Sequence, residues 1–193
     1  MTIQPPPPQV PVTPGLSDVR TLRERARRHI EEGALTENYA ADRPTILRLL
    51  NEALATEIVC TLRYKRHYFT AKGLASVSIA AEFLEHAHEE EEHADLFAER
   101  ITQLGGDPDF SPDTLTTRSH AEYVPGESLI EMIKEDLVAE RIAIESYREA
   151  IQYIGTSDPT TRRLFEKVLE VEEEHADELL SLIQQIGDRG REV

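Results

Sequence analysis

Two Glu-x-x-His steps, Glu90 to His93 and Glu172 to His175, each sit inside the same six-letter run, EEEHAD. A carboxylate and an imidazole three residues apart share one helix face, so a single turn offers both groups to one site. That donor set suits iron, manganese or zinc rather than a thiolate-seeking metal. A solvated acidic helix face would produce the same letters, and the surrounding residues separate the two readings.

The run belongs to a longer repeat. Glu57 is followed seven residues later by Tyr64, and Glu140 seven residues later by Tyr147. Each Glu–Tyr pair precedes one Glu-x-x-His step, with 33 residues from Glu57 to Glu90 and 32 from Glu140 to Glu172. On a helix, positions three, four and seven apart lie together. Around Glu57 these include Leu50, Leu54 and Cys60; around Glu90, Phe83, Ala87 and Phe97; around Glu140, Ile133, Leu137 and Ile144; around Glu172, Phe165, Val168 and Leu179. Each of the four glutamates thus lies on the apolar stripe of its segment, while Glu91, Glu92, Glu173 and Glu174 fall off it. An unpaired buried charge costs several kcal/mol (roughly) even after relaxation. By the same spacing rule Arg63, Lys65, Arg141 and Arg148 point elsewhere and leave the four acids unpaired. Two divalent cations would balance four carboxylates in formal charge, with His93 and His175 completing two coordination shells.

The elements that must position these groups are long helices. Helical periodicity runs from Pro44 to about Lys72, from Ser76 to Leu104, from Glu127 to Ile154, and from the Ser157-Asp158-Pro159 start to Gly187. The first and second pairs have short links and predict antiparallel hairpins. The link DPDFSPDTLTTRSHAEYVPG between them is long enough to cross a bundle. Short, long, short is the connection order of an all-α, antiparallel four-helix bundle with one crossover. Two similar hairpins about a pseudo-two-fold would bring both glutamate–histidine sets together. Ahead of the bundle, residues 17–33 predict a short amphipathic helix, with Ser17 as N-cap, Leu22, Ala26 and Ile30 on one stripe, and Gly33 at its end. The expected division is a Pro-rich extended tail over 1–15, an N-terminal helix and linker over 16–42, the bundle over 43–187 and a tail over 188–193.

Composition narrows the function. The 193 residues carry a formal net charge of −16, which repels a phosphate backbone and favours cations as partners. One basic island, Arg20, Arg23, Arg25, Arg27 and Arg28 with His29, reads as the polar face of the first helix rather than a DNA arm. No stretch reaches the roughly 20 apolar residues of a membrane span. The opening MTIQPPPPQVPVTPG lacks the basic start and apolar core of a secretory signal. The lone Cys60 allows no internal disulfide and fits a reducing, cytoplasmic setting.

Over Leu49 to Ile186 the chain resembles the bacterioferritin branch of the ferritin-like superfamily. The likeness is carried by LNEALATEIVCTLRY, EEEEHADLFAERITQLGG, EDLVAERIAIESYREAI and LEVEEEHADELLSLI. The resemblance implies that Glu57, Glu90, His93, Glu140, Glu172 and His175 are ferroxidase ligands. Glu90 and Glu172 would bridge two iron ions, with Glu57 and His93, and Glu140 and His175, as terminal ligands. It places Tyr64 beside that centre, within the candidate catalytic set. It implies oxidation of Fe(II) by O2 or H2O2, iron storage or detoxification, and a homo-oligomeric shell of 12 or 24 subunits. The family's haem-ligating methionine would follow the bridging Glu90, where this chain has Glu91, so no haem is expected there. The family's short fifth helix has no expected counterpart, which opens the 12-subunit form of proteins related to the starvation-induced DNA-protection family. Manganese or zinc could replace iron. A di-manganese or di-iron peroxidase or catalase, and a non-enzymatic ferritin-like scaffold docking through the Pro-rich tail, remain the alternatives. Around the centre, His86 reads as an outer hydrogen-bonding group, a ligand for an ion in transit, or a polar residue at the bundle end. Asp136 carries the same readings. Tyr64 and Tyr147 read as hydrogen-bond donors, with a redox role as the minority reading of Tyr64. Cys60 reads as a small buried residue, and His120 with Glu122 as a solvated loop pair, with metal binding as the second reading.

Overall fold

A computed structural model describes residues 15–71 and 76–189. The chain divides into two compact units, one ending at Tyr39 and one beginning at Ala40. Among the described residues there is no strand, and no helix long and apolar enough to cross a membrane.

The second unit is built from α2 (Arg43–Thr70), α3 (Ser76–Gln103), α4 (Pro112–Arg118), α5 (Leu129–Ile154) and α6 (Pro159–Arg189). Sequence chemistry sets most of the ends. Pro44 sits in the first turn of α2, where a missing N–H costs nothing. Ser128 and Glu131 form a reciprocal capping box at the start of α5, and Gly155 closes it at a positive φ of +53°. Asp158 accepts from Thr161 N at 3.0 Å as α6 begins. The expected helix ends shift slightly: α5 starts at Leu129 rather than Glu127 because Ser128 is its cap, and α6 runs through Gly187 to Arg189. The expected end of the first long helix at Lys72 and Gly73, the tail over residues 1–14 and residues 190–193 lie outside the described residues.

α2 packs along α3 and α5 along α6, giving two antiparallel hairpins. They meet along the α2–α5 and α3–α6 seams. One end of the interior is filled by Cys60, Tyr64, Phe83, Met132, Ile133 and Leu179. Towards the other end Phe97, Tyr147 and Phe165 form an aromatic trio with centroids 5.1 to 5.7 Å apart.

The crossover contains a helix that periodicity did not reveal. α4 seats Leu115 against Ala55 and Val59 of α2. The signal was present as Ser111-Pro112-Asp113, a cap residue, a first-turn proline and a first-turn acid. Gly126 then leads the chain into α5 at φ +60°, where an added Cβ would stand 2.8 Å from Met132 N. Gly126→Ala should therefore destabilise the fold by roughly 1–3 kcal/mol, the cost of a left-handed non-glycine residue, read as a lower denaturant midpoint. An unchanged midpoint would mean the turn re-forms with another geometry.

The first unit departs from the sequence reading. Instead of one helix over 17–33 it holds the seven-residue α1 (Val19–Arg25) and a 3-10 turn at Ile30–Glu32. The cap is Asp18 rather than Ser17, because its carboxylate accepts from both Arg20 N and Thr21 N. His29 at φ +50° ends any continuation, and Leu22, Ala26 and Ile30 are all exposed. The basic residues are partly neutralised locally, with Arg28 paired to Glu37 at 2.7 Å.

Candidate metal centre

Each long helix of the second unit delivers its glutamate to the interior. Glu57, Glu90, His93, Glu140, Glu172 and His175 are all buried, whereas Glu91, Glu92, Glu173 and Glu174 are exposed. Two groups of ligand atoms lie within 4.8 Å of one another: Glu57, Glu90, His93 and Glu172, and Glu90, Glu140, Glu172 and His175. Glu90 and Glu172 belong to both groups. The geometry thus presents two overlapping candidate ligand groups that share two carboxylates.

Among the described residues, seven buried side-chain nitrogens and oxygens lack a hydrogen-bond partner. All seven belong to these six residues: Glu57 Oε2, Glu90 Oε1, His93 Nδ1, Glu140 Oε2, both Glu172 oxygens and His175 Nδ1. His93 Nδ1 stands 2.9 Å from Glu172 Oε1, yet the contact lacks hydrogen-bond alignment and satisfies neither atom. Buried polar groups are normally paired, so seven unpartnered donors on six neighbouring residues form a set that fits a cation. The donors, carboxylate oxygen and imidazole nitrogen, are those of a divalent transition metal.

The outer contacts orient this set. His175 directs Nε2 to Glu89 Oε2 at 2.7 Å, which leaves Nδ1 facing the centre as a lone-pair donor. Tyr64 of α2 donates to Glu140 of α5, and Tyr147 of α5 donates to Glu57 of α2. The two tyrosines thus cross the seam between the hairpins in opposite directions. Burial, reinforced by neighbouring carboxylates, pushes both phenols well above their usual range and keeps them protonated donors.

Burial, with the repulsion of Glu172, Glu57 and Glu140, also raises Glu90 well above the ordinary carboxylate range. Burial, with Glu57 and Glu140, does the same to Glu172. Burial acts in the same sense on Glu57, but contacts with Glu90, His93 and Tyr147 outweigh it and hold its carboxyl low. The metal-free centre therefore resists carrying four negative charges.

Other sequence candidates fall in different places. His86 is buried one turn before Glu90, with Nδ1 3.3 Å from the Tyr64 hydroxyl and its ring stacked on His175 at 4.0 Å. Cys60 is buried, and burial pushes its thiol well up. His120 and Glu122 stay at the surface and do not join the centre; His120 lies 3.8 Å from Glu52. Lys65, Arg141 and Arg148 stay clear of the centre, but Arg63 is fully buried, contrary to the spacing argument. It does not reach the four glutamates: it donates to Asp136 Oδ1 at 2.7 Å and to Glu122 O at 3.0 Å. His67, which the sequence reading passed over, contacts Asp136 Oδ2 at 2.7 Å and Pro125 O at 2.9 Å. Asp136 is thus a structural anion rather than a free ligand.

Residues 47–188 match the Ferritin-like domain family. The chain belongs to the ferritin-like family. All six residues of the centre lie in the matched span of this ferritin-like chain. It is 30% identical to bacterioferritin from Rhodobacter capsulatus over 150 residues, covering 75% of this chain and 88% of that one. Among solved structures it is similar to the dodecameric thioferritin, a bacterioferritin-related protein from Bacteroides fragilis. That match has a TM-score of 0.76 and 27% identity, over 79% of this chain and 92% of that one. Mycobacterium tuberculosis bacterioferritin BfrA gives a TM-score of 0.69 and 27% identity, over 77% and 90% of the two chains.

Proposed function

We propose that this ferritin-like chain is a ferroxidase that oxidises Fe(II) in pairs and serves iron storage or detoxification. The observation that carries the reading is the set of seven unpartnered buried atoms on Glu57, Glu90, His93, Glu140, Glu172 and His175. In this reading Glu90 and Glu172 are shared by both iron positions. Glu57 and His93 complete one, and Glu140 and His175 the other. Fe(II) is the substrate. Two ions held together supply the two electrons that take O2 to H2O2, or H2O2 to two waters, each with two protons consumed. The residues of the chain fix separation and charge: Tyr64 and Tyr147 hold one oxygen of each outer glutamate and leave the other for the metal. The charge of −16 draws cations towards the protein.

No haem is part of this reading. Glu91 occupies the position after Glu90 and is paired at the surface with Lys65 at 3.1 Å, while Met132 is buried in the bundle. A homo-oligomeric shell is part of it, supported by the dodecameric relative and by the exposed Leu62, Phe69, Val138 and Leu180. So is a cytoplasmic setting, in keeping with a single buried free thiol.

The test mixes metal-free protein anaerobically with Fe(II), counts bound ions, then admits oxygen and follows its uptake with ferric absorbance. Two ions per chain oxidised in one fast phase is the expected result. One ion per chain, or oxidation no faster than in buffer, would sink the proposal. Native mass on the same sample measures the assembly.

A further inference from the structure

The ligand stripe of the paired centre does not stop at its edge. On α3 it reads Glu82, His86, Glu89 with Glu90, and His93, and on α6 Glu172, His175 and Glu178, each step a helix turn. Beyond the paired centre these residues form two further groups with ligand atoms within 4.8 Å of one another: His86, Glu89 and His175, and Glu82, His86 and Glu178. Successive groups share a histidine. His175 joins the paired centre to the middle group, and His86 joins the middle group to the outer one.

His86 stands at the base of the outer group and links it to the paired centre. Its Nδ1 lies 3.3 Å from the hydroxyl of Tyr64, the tyrosine that donates to Glu140. Its Nε2 faces the outer carboxylates, Glu178 Oε2 at 2.9 Å and Glu82 Oε1 at 4.0 Å. One imidazole nitrogen and two carboxylates thus converge on one point, a donor set that a divalent cation accepts.

No lysine or arginine neutralises these carboxylates among the described residues. Glu82, Glu89 and Glu178 have histidine as their only ion-pair partner among the described residues, whereas Glu91, Glu173 and Glu52 each hold a Lys or Arg within 3.1 Å. Burial and the nearby Glu178 raise Glu82 above its ordinary value, against the pull of His86. The group is also reachable: His86 is buried at its base, while the Glu82 side chain is 34% and the Glu178 side chain 52% exposed.

We propose that Glu82, His86 and Glu178 form a third divalent-cation site, and that Glu89 passes its ion along the stacked His86 and His175 into the paired centre. The site stands on its own geometry; the transfer rests on the two-metal reading above. An ion arriving from solvent meets two partly exposed carboxylates first and is then held by the imidazole. Glu89 bridges the next step, since its carboxylate already contacts His175 Nε2 at 2.7 Å.

Zinc is a suitable probe because it is not oxidised and accepts the same donors. Crystals of the full chain soaked in zinc should give an anomalous peak about 2.0–2.2 Å from His86 Nε2 and from a carboxylate of Glu82 or Glu178. Calorimetric titration at stoichiometric zinc should count one ion fewer per chain in E82Q/E178Q than in the native protein. An empty outer group with both inner positions filled, or equal counts in the two proteins, would overturn the site. A filled outer group with empty inner positions would support the site and remove the two-metal reading instead. For the transfer, the Fe(II) concentration giving half-maximal oxidation should rise about tenfold in E82Q/E178Q, in line with losing a charged funnel. An unchanged value would overturn the transfer.

Discussion

An E90Q/E172Q variant should oxidise Fe(II) more than about a hundredfold more slowly than the native chain, because losing even an outer partner of a metal ligand costs up to that much. Glu90 and Glu172 are the only residues common to both ligand groups, so one double substitution weakens both positions at once. The metal-free variant should nevertheless be harder to unfold. In the native apoprotein both carboxyls are buried among Glu57 and Glu140 with no lysine or arginine partner, and neutral amides of the same shape remove that repulsion. A gain of about 1–4 kcal/mol, the scale seen when buried ionic groups are replaced by uncharged residues of similar volume, is expected.

The pH dependence identifies the cause. Glu90 and Glu172 have folded-state values above the ordinary glutamate range, so the folded apoprotein binds more protons than the unfolded chain. Their protonated contribution to stability is complete below the ordinary value and is lost as pH rises through the raised ones. The advantage of E90Q/E172Q should therefore be small near about pH 4 and widen towards neutrality. Glu57, held low, acts in the opposite sense in both proteins. Denaturant midpoints of the two apoproteins across this range measure the difference. A gap that narrows with rising pH would contradict the assignment of these two carboxylates.

Arg63→Met should cost about 3–5 kcal/mol, the penalty for leaving a buried charge without its partner. Arg63 is fully buried and ties Asp136 of α5 to α2 and to the Glu122 carbonyl of the crossover. Without it Asp136 keeps only His67. Adding Asp136→Asn should restore part of the loss, because the stranded anion is then gone. Urea unfolding of the metal-free single and double variants reads both effects. An R63M midpoint equal to the native one would mean that water reaches Asp136 and the network contributes little.

The bundle, and the clustering of the six candidate residues inside it, were legible in the sequence for one reason. A glutamate on an apolar stripe violates the helical pattern, and four such violations at matching spacing point to one place. Arg63 was not legible because spacing was compared with a single face, that of Glu57. In a bundle α2 buries an arc wide enough to meet both α3 and α5, and Arg63 lies on the α5 side of that arc. His67 was missed with it, since its partner Asp136 lies on another helix and only the docked fold joins them. Glu178 escaped for the same reason: its contact with His86 spans 92 residues of chain. At the N-terminus, Ser17 and Asp18 are both cap residues, and composition alone did not rank a carboxylate that reaches two N–H groups above its neighbour.

The two hairpins also set when the chemistry can begin. The first carries Glu57, Glu90 and His93, and the second Glu140, Glu172 and His175. Either hairpin alone has two carboxylates and one imidazole, enough to hold a single ion weakly. Neither has both bridging glutamates, and each outer glutamate takes its tyrosine from the opposite half. A chain emerging from the ribosome completes the first hairpin well before the second. During that interval it lacks the paired arrangement on which the proposed two-electron step depends. On the ferroxidase reading proposed above, two-electron transfer to the oxidant would thereby wait for completed folding.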